Sequence, residues 1–266
     1  FDWIVKGCFL FSPNVYMVEF SVILPAHNEA ENLPDLIAEL NSVMTQLQKP
    51  FEIIVVDDGS ADATYSTIRA LQQDTLALRL LSLDRNYGQS AALDAGLLVA
   101  EGTFLITMDA DGQNPPKEIL KLYESLGNHD AACGWRQNRK DSLWRRFCSK
   151  LANRIRRTVL QDGIHDIGCS LRIIRRSAWK NVNIRLFRGL HRFVPSLLVF
   201  ANCDLIQVPV NHRQRRYGHS HYSARKRLIS PLIDLMAVGW MKRRWPRYTC
   251  KEIIPDPPEK AESIPS

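Results

Sequence analysis

Two aspartates one residue apart, Asp109 and Asp111, follow the apolar run 103–108 (TFLITM). The run is long enough for a buried strand, so both carboxylates emerge at its carboxyl end, where ligands bind in open α/β sheets. Neighbouring carboxylates on one backbone suit a hard divalent cation, which prefers oxygen ligands. The pair therefore predicts a divalent-metal site at the edge of a sheet.

Two further polar loops follow apolar runs in the same half of the chain, so that three loops share one pattern: 25–29 (PAHNE), 57–62 (DDGSAD) and 109–113 (DADGQ). Parallel strands point the same way, so these loops are expected to open onto one sheet edge. An edge with so many carboxylates would repel a nucleotide unless a cation intervened. The convergence therefore predicts a metal site for a diphosphate.

The elements that must position these loops alternate between strands and helices. Apolar strands are predicted at 20–25, 51–60, 78–83 and 103–108, with amphipathic helices between them. Asn28 and Glu31 form an N-x-x-E signal for the start of the first helix. This alternation predicts βαβ units and a parallel sheet. In the second half we predict a basic helix at 143–160, a strand at 205–212 and an amphipathic helix at 228–240.

Charge divides the chain into two unlike halves. Residues 1–130 carry 7 Lys/Arg and 19 Asp/Glu, a net charge of −12, whereas residues 131–266 carry 28 and 9, a net charge of +19. The basic half indicates a polyanionic partner, either nucleic acid or an anionic membrane surface. The sequence contains no run of about 18 apolar residues, so it predicts no bilayer-spanning helix. The six cysteines show no C-x-x-C spacing, which favours a reducing compartment.

Four regions are expected along the chain. Residues 1–18 are interpreted as an N-terminal extension, of which 1–16 are left out of fold reasoning. Residues 19–227 are expected to form the catalytic domain and 228–248 an amphipathic interfacial segment. Residues 249–266 contain PDPP and several charges and are predicted to be disordered.

A family resemblance rests on motifs that keep their order over residues 19–245. They are PAHNE, DDGSADAT, RNYGQSAALDAG, DADGQNPP, GWRQNR, HDIGCSLR and VPVNHRQRRYGHSHY. With them the chain resembles family-2 glycosyltransferases of the polyprenyl-phosphate sugar synthase type, a group that includes dolichol-phosphate mannose synthases and bacterial undecaprenyl-phosphate transferases. The resemblance implies the GT-A fold, a Rossmann-like, mostly parallel sheet flanked by helices. It also implies a nucleotide diphosphate sugar as donor and a polyprenyl phosphate as acceptor.

The resemblance also implies roles for individual residues. Mg or Mn would be coordinated by Asp109, Asp111 and Gln113. The nucleotide would be bound by Pro25, His27, Asn28, Glu29, Asp57 and Asp58. The catalytic set would be Asp109, Asp111, Arg136 and Asp166. Arginines of the basic half are suited to the acceptor phosphate because guanidinium binds phosphate bidentately, and those expected there are Arg145, Arg146, Arg213, Arg215 and Arg216.

The expected reaction is inversion by direct displacement. A phosphate monoester has a second pKa of about 6 and is largely dianionic at neutral pH, so it attacks without a dedicated protein base. The enzyme is expected on the cytoplasmic face of the membrane, held there peripherally by the 228–240 segment with its basic flanks or by a membrane-spanning partner subunit.

Three other readings stay open at this level. A transferase of the same fold could act on a sugar hydroxyl, with Asp166 as general base. A nucleic-acid-binding module would use the basic half, but it leaves the acidic loops unexplained and predicts aromatic stacking platforms of which the basic stretches show few signs. A catalytically silent scaffold would leave the acidic pair without a purpose. The sugar and the base of the donor are not encoded by these motifs.

Overall fold

The computed structural model of the protein describes residues 17–136, 154–182, 187, 189–215, 217 and 226–245. Side chains are described throughout these ranges except in 226–231. The expectations for residues 1–16 and 249–266 lie outside the described residues. So do three of the arginines expected at the acceptor phosphate, namely Arg145, Arg146 and Arg216.

Strands and helices alternate through the first half of the chain, as the sequence predicts. The elements are β1 (Phe20–Ala26), α1 (Leu33–Gln46), β2 (Phe51–Asp57), α2 (Thr64–Asp74), β3 (Leu78–Ser82), α3 (Gln89–Val99) and β4 (Phe104–Thr107). The apolar face predicted for α1 is confirmed, because its leucines and the neighbouring Ile37, Val43 and Met44 are buried.

The second half contains more regular structure than the sequence predicted. Its elements are α4 (Glu118–Leu126), β5 (Ala131–Arg136), β6 (Arg172–Arg175), α5 (Arg176–Lys180), α6 (Leu190–Phe200), β7 (Leu205–Val210) and α7 (Lys226–Arg243). Residues 154–160 are also helical. The strand predicted at 205–212 and the helix predicted at 228–240 are confirmed, whereas α4, β5, β6, α5 and α6 were not predicted.

One mostly parallel sheet of seven strands organises the molecule, in the order β3-β2-β1-β4-β6-β5-β7. The strands β3, β2, β1 and β4 are parallel neighbours, and β5 pairs with β7 in parallel. Only β6 runs the other way, antiparallel to both β4 and β5. The predicted mostly parallel sheet is therefore confirmed, and β1, β2 and β4 end side by side at one edge.

Helices cover both faces of the sheet because successive side chains of a strand point to opposite faces. Val22 and Leu24 of β1 pack into a core that includes the buried faces of α1 and α4. Ile23, between them, packs into a second core that includes residues of α3 and α6. Burial on both faces explains the continuous apolar runs of the central strands.

The predicted start of α1 is wrong. The helix begins at Leu33, after Asn32, and not near Asn28. Asn28 adopts a left-handed backbone with φ of 56°. Its side-chain oxygen accepts hydrogen bonds from the backbone N–H groups of Ala61 and Asp62, at 2.8 and 3.4 Å. The side chain therefore joins two loops and does not begin the helix.

The basic helix is only partly a solvated cationic face. Arg154 and Arg157 are exposed, but Arg156 between them is buried. One guanidinium nitrogen of Arg156 donates to both carboxylate oxygens of Asp162, at 2.7 and 2.6 Å. The Asp162 carboxylate also accepts a bond from the Ser196 hydroxyl at 2.6 Å. This arginine therefore ties the helix to α6 and is not available to a ligand.

Candidate functional site

The first two polar loops meet at the carboxyl edge of β1 and β2, as predicted. A ring nitrogen of His27 lies 2.9 Å from the carbonyl oxygen of Asp58. The backbone N–H of Asn28 donates to the Ser60 hydroxyl at 3.0 Å, and that of Glu29 donates to the Thr64 hydroxyl at 2.9 Å. Backbone and side-chain bonds thus fix the two loops against each other.

The third loop begins with Asp109, which is half-buried at the end of β4. Its carboxylate accepts a hydrogen bond from the Gln89 side-chain amide at 2.6 Å, and its backbone N–H donates to the Ser170 hydroxyl at 3.1 Å. Burial raises the pKa of Asp109, although Ser170 and the charges of Arg172 and Arg136 oppose this. The Asp109 side chain is thus oriented by Gln89 of α3 and lies within reach of the charges of Arg172 and Arg136.

Asp111 lies two residues after Asp109 in the same loop. Its carboxylate accepts the backbone N–H of Gln113 at 3.1 Å, around Gly112 with φ of 70°. Burial, and then the charge of Asp109, raises the pKa of Asp111 to about 6, with a smaller contribution from Glu29. Because Asp109 acts on Asp111 in a partly desolvated loop, the two carboxylates lie close enough to share one divalent cation, which would stabilise both.

The fit to a cation rests on few protein ligands. In the described part of the chain, no group of three or more His, Cys, Asp or Glu side chains is arranged to hold a metal ion. Gln113 is bound to the opposite segment, since its carbonyl accepts the Arg213 N–H at 2.8 Å and its side-chain amide donates to the Arg213 carbonyl at 3.5 Å. Asp109 and Asp111 would thus supply the charge, and substrate oxygens and water would complete the coordination.

Asp57 and Asp58 hold loops in this structure. Each is only 3% exposed. The Asp57 carboxylate accepts the Ser60 N–H at 3.0 Å. The two oxygens of Asp58 accept the N–H groups of Tyr87 and Gly88 at 2.8 and 2.9 Å. Burial raises the pKa of Asp58 in spite of these bonds. This geometry supports a structural role for Asp57 and Asp58. Their contact with the base and ribose of the nucleotide stays a prediction, and the burial of both side chains disfavours it.

Glu29 and Pro25, from the first loop, reach the acidic pair by different means. Pro25 lines the cleft beside Asp109. One Glu29 oxygen is paired with Arg215, and the other accepts the Asn32 side-chain amide at 2.6 Å. His27 and Asn28 are bound to the second loop, whereas the charge of Glu29 acts on Asp111, so Glu29 lies near the acidic pair.

Arg136 and Asp166 form one unit. The guanidinium donates two bonds to the carboxylate, at 2.7 and 2.9 Å, and both side chains are largely buried. Burial lowers the pKa of Arg136, but the bonds and charge of Asp166 outweigh it and the net pKa is raised. A methyl group at Gly168 would lie 2.5 Å from the Arg136 guanidinium, so the absence of a side chain at Gly168 makes room for Arg136 beside Asp166. Asp166 is therefore committed to an arginine.

The two described acceptor-site arginines are both paired with glutamates. Arg213 donates two bonds to Glu39 of α1, at 2.8 and 2.7 Å. Arg215 pairs with Glu29, and its charge lowers the pKa of Asp111. Arg215 thus lies near the acidic pair, whereas Arg213 would have to exchange Glu39 for phosphate before it could bind an acceptor.

A cleft beside Asp109 contains polar residues that sequence reasoning missed. They are Gln89, Ser170, Arg172, His191 and Arg192. Gln89 and Arg172 stand within the motifs RNYGQ and HDIGCSLR, and the available signal for Arg172 was its position directly before the apolar pair Ile173–Ile174. Residues 191 and 192 fall at the start of α6, which was not predicted.

Comparison with known proteins identifies the family of the chain and two similar proteins. Residues 21–182 match the family described as glycosyl transferase family 2. The chain is 36% identical over 235 residues to a dodecaprenyl-phosphate galacturonate synthase of Rhizobium johnstonii, covering 86% of this chain and 69% of that protein. It is 38% identical over 218 residues to an undecaprenyl-phosphate 4-deoxy-4-formamido-L-arabinose transferase of Pseudomonas paraeruginosa, covering 81% of this chain and 63% of that protein.

The fold is likewise shared with a solved structure. The mannosyltransferase PcManGT of Pyrobaculum calidifontis, solved with GDP-Man and Mn²⁺, superimposes with a TM-score of 0.62 at 19% identity, covering 88% of this chain and 68% of that one. The GT-A fold and the resemblance to polyprenyl-phosphate sugar transferases are thereby confirmed. The chain belongs to glycosyl transferase family 2.

Proposed function

We propose that the protein transfers a monosaccharide from a nucleotide diphosphate sugar to a polyprenyl phosphate, with inversion. The observation that carries the proposal is the acidic pair Asp109 and Asp111, in which burial and the charge of Asp109 raise the pKa of Asp111, so that a bound divalent cation would stabilise the pair. The two relatives above are named for transfer to prenyl phosphates, which supports the acceptor class.

The cation is Mg or Mn in this proposal, held by Asp109 and Asp111, and the side-chain oxygen of Gln113 could join them because the contacts of Gln113 with Arg213 use its other polar atoms. When bound, it would neutralise charge that develops on the leaving diphosphate. The PcManGT complex contains Mn²⁺ and supports a divalent ion of this kind. Gln89 would keep the Asp109 carboxylate in place through its 2.6 Å hydrogen bond. The nucleotide would lie against the loops of Pro25 and His27–Glu29.

A phosphate nucleophile fits the site better than a sugar hydroxyl. A hydroxyl acceptor needs a general base, for which Asp166 is the residue expected from sequence. Its carboxylate is engaged by two Arg136 bonds and by the Gly168 N–H at 3.1 Å. A carboxylate so neutralised is a weak base, whereas a phosphate dianion attacks without one. Arg136 and Arg215, whose charges act on Asp109 and Asp111, are among the arginines proposed to bring the donor diphosphate and the acceptor phosphate together.

A membrane surface is the proposed setting, because α7 exposes an apolar stripe among the residues that the structure describes. Its exposed side chains are Leu232, Ile233, Met236 and Trp240. The opposite side, with Leu235 and Val238, is buried on the protein. Arg243 and Arg244 at the end of the helix are exposed, and Arg244 stacks 5.2 Å from the Trp240 ring centre. An apolar stripe beside basic residues suits an anionic bilayer, near which each Lys or Arg contributes about 1 kcal/mol.

Other features bear on where the enzyme works. Within the described residues, none of the helices combines the length and apolarity needed to cross a bilayer. Cys133, Cys169 and Cys203 are free thiols, which supports the cytoplasmic face that we propose. A membrane-spanning partner subunit is the alternative anchor.

Vesicle flotation tests this setting. Met236→Glu is expected to weaken binding to vesicles of anionic lipid by about 10- to 100-fold, since it removes roughly 1.5–3 kcal/mol of apolar burial. Leu76→Glu is the matched control, because Leu76 is fully exposed elsewhere on the molecule. Equal binding of both variants and wild type would contradict membrane docking by α7.

Donor screening tests the reaction itself. Protein is incubated with Mn²⁺, a panel of nucleotide sugars and either undecaprenyl phosphate or soluble glycans, and release of nucleoside diphosphate is measured with identification of the product. The expected result is metal-dependent release that requires the prenyl phosphate. Turnover with glycans alone would favour the hydroxyl-transfer alternative.

A further inference from the structure

The cleft beside Asp109 has a cationic wall that the proposed reaction leaves unused. Arg172, at the start of β6, and Arg192, in the first turn of α6, both line it. Gln89 and Asp109 line the same cleft. Two guanidinium groups are thus placed next to the metal site but on different elements from its ligands.

Arg172 is a buried charge with spare hydrogen-bonding capacity. It is 1% exposed, and one of its terminal nitrogens donates to the carbonyl of His191 at 3.0 Å. Its Nε has no hydrogen-bond partner among the described residues. Burial lowers the pKa of Arg172, opposed by Cys133, Cys169 and Asp109. Such a group is costly to bury unless a ligand satisfies it.

Arg192 is held by charge and not by a close hydrogen bond. Its Nη1 lies 3.5 Å from a carboxylate oxygen of Asp234 on α7, and this nitrogen is buried with no hydrogen-bond partner in the described part of the chain. Asp234 is itself packed against Gly189, where an added methyl would lie 2.7 Å from its carboxylate. The Asp234 carboxylate therefore lies beside Arg192 without accepting a close hydrogen bond from its Nη1, so guanidinium N–H groups of Arg192 remain for a ligand.

His191, between the two arginines, adds no charge. Burial, and then Arg192 and Arg172, lowers the pKa of His191 to about 3. Its Nδ1 lies 2.8 Å from the Ser90 hydroxyl, and that hydroxyl also accepts the Gly189 N–H at 3.1 Å. A neutral imidazole fixed from one side offers a polar contact without competing for an anion.

We propose that Arg172 and Arg192 form an oxyanion site that positions an anionic group of a substrate beside the metal centre. The inference rests on the proposed function and deepens it. The chemistry is that of phosphate or carboxylate, because guanidinium groups bind both through paired N–H donors. The group is the phosphate of the prenyl acceptor or the carboxylate of a uronic acid carried by the donor, and binding measurements separate the two.

Arg192→Met tests the site in the full-length protein with Mn²⁺ present. One arm measures by calorimetry the Kd of a short-chain prenyl phosphate. The other measures the ratio of Kd values for UDP-glucuronic acid and UDP-glucose, which differ in the carboxylate. Loss of a charge-assisted contact is expected to weaken binding about 10- to 100-fold. The loss falls in the first arm if the site takes phosphate and in the second if it takes a uronate.

A second variant separates recognition from folding. Arg192→Met leaves Asp234 buried without its cation, so loss of binding could follow from disturbed packing of α7. Arg192→Met with Asp234→Asn removes both charges. A merely structural arginine predicts that the double variant regains wild-type Kd values, whereas the oxyanion site predicts that it does not. Arg69→Met, an exposed substitution on α2, is the control for charge alone.

The outcomes are distinct. Less than about threefold change in both arms, or recovery in the double variant, overturns the oxyanion site. A wild-type protein that transfers no sugar to a prenyl phosphate contradicts the proposed function, while a lost uronate preference in Arg192→Met would still support the two arginines. A retained uronate preference together with weakened prenyl phosphate binding in Arg192→Met contradicts only the uronate source.

Discussion

Asp111→Asn should make the cation-free protein more stable at neutral pH. Burial and the charge of Asp109 raise the pKa of Asp111 from 3.8 to about 6. The folded state then binds the proton more tightly than the unfolded chain, so the free energy of unfolding in chelator falls as pH rises from about 4 to about 6. At 1.36 kcal/mol per pKa unit, this loss is about 3 kcal/mol and is complete by pH 7.

Urea unfolding, followed by tryptophan fluorescence at pH 4 to 7, measures this effect. In chelator, Asp111→Asn is expected to match wild type near pH 4 and to exceed it by up to about 3 kcal/mol at pH 7. Added Mn²⁺ should stabilise wild type by binding the folded state and should stabilise the variant far less. The variant gains stability and loses transfer activity, because the destabilising carboxylate is the one that the cation requires.

Asp74→Asn, an exposed substitution on α2, is the matched control and should keep the wild-type pH profile. Parallel profiles of wild type and Asp111→Asn in chelator would refute the reasoning. That result would mean that the two carboxylates do not share one desolvated site. Equal stabilisation of both proteins by Mn²⁺ would place the cation elsewhere.

Three further predictions follow from the same contacts. Gln89→Leu removes the amide that orients Asp109 and should weaken Mn²⁺ affinity about 10- to 100-fold, measured by metal titration of activity; unchanged affinity would remove Gln89 from the site. Arg156→Met leaves Asp162 as an unpaired buried carboxylate and should lower the free energy of unfolding by about 3–5 kcal/mol in urea, and a loss below 1 kcal/mol would contradict the buried pair. Excess chelator should abolish transfer and Mn²⁺ should restore it; full turnover in chelator would exclude the metal mechanism.

The sequence determined the local features of the site. Strands β1, β2 and β4 are largely apolar runs that end at or within two residues of Pro25, Asp57 and Asp109, so both the alternation of elements and the polar edge could be predicted. Parallel pairing then places the three ends together without further information. Hydrophobic periodicity does not reveal β6, because this strand has only four residues. The N-x-x-E pattern misplaces the start of α1, because Asn28 binds the second loop and does not cap the helix.

Tertiary structure decided which charged groups are free to act. Arg213 pairs with Glu39 across 174 residues of chain, and Asp58 is used by backbone N–H groups 29 and 30 residues away. Arg172 and Arg192 line one cleft for two reasons. Strand β6 lies between β4 and β5 in the sheet, and α6 packs against α3. Residue types and spacing fix what a side chain is able to bind, but pairing and burial depend on distant segments, and these set whether its charge remains available.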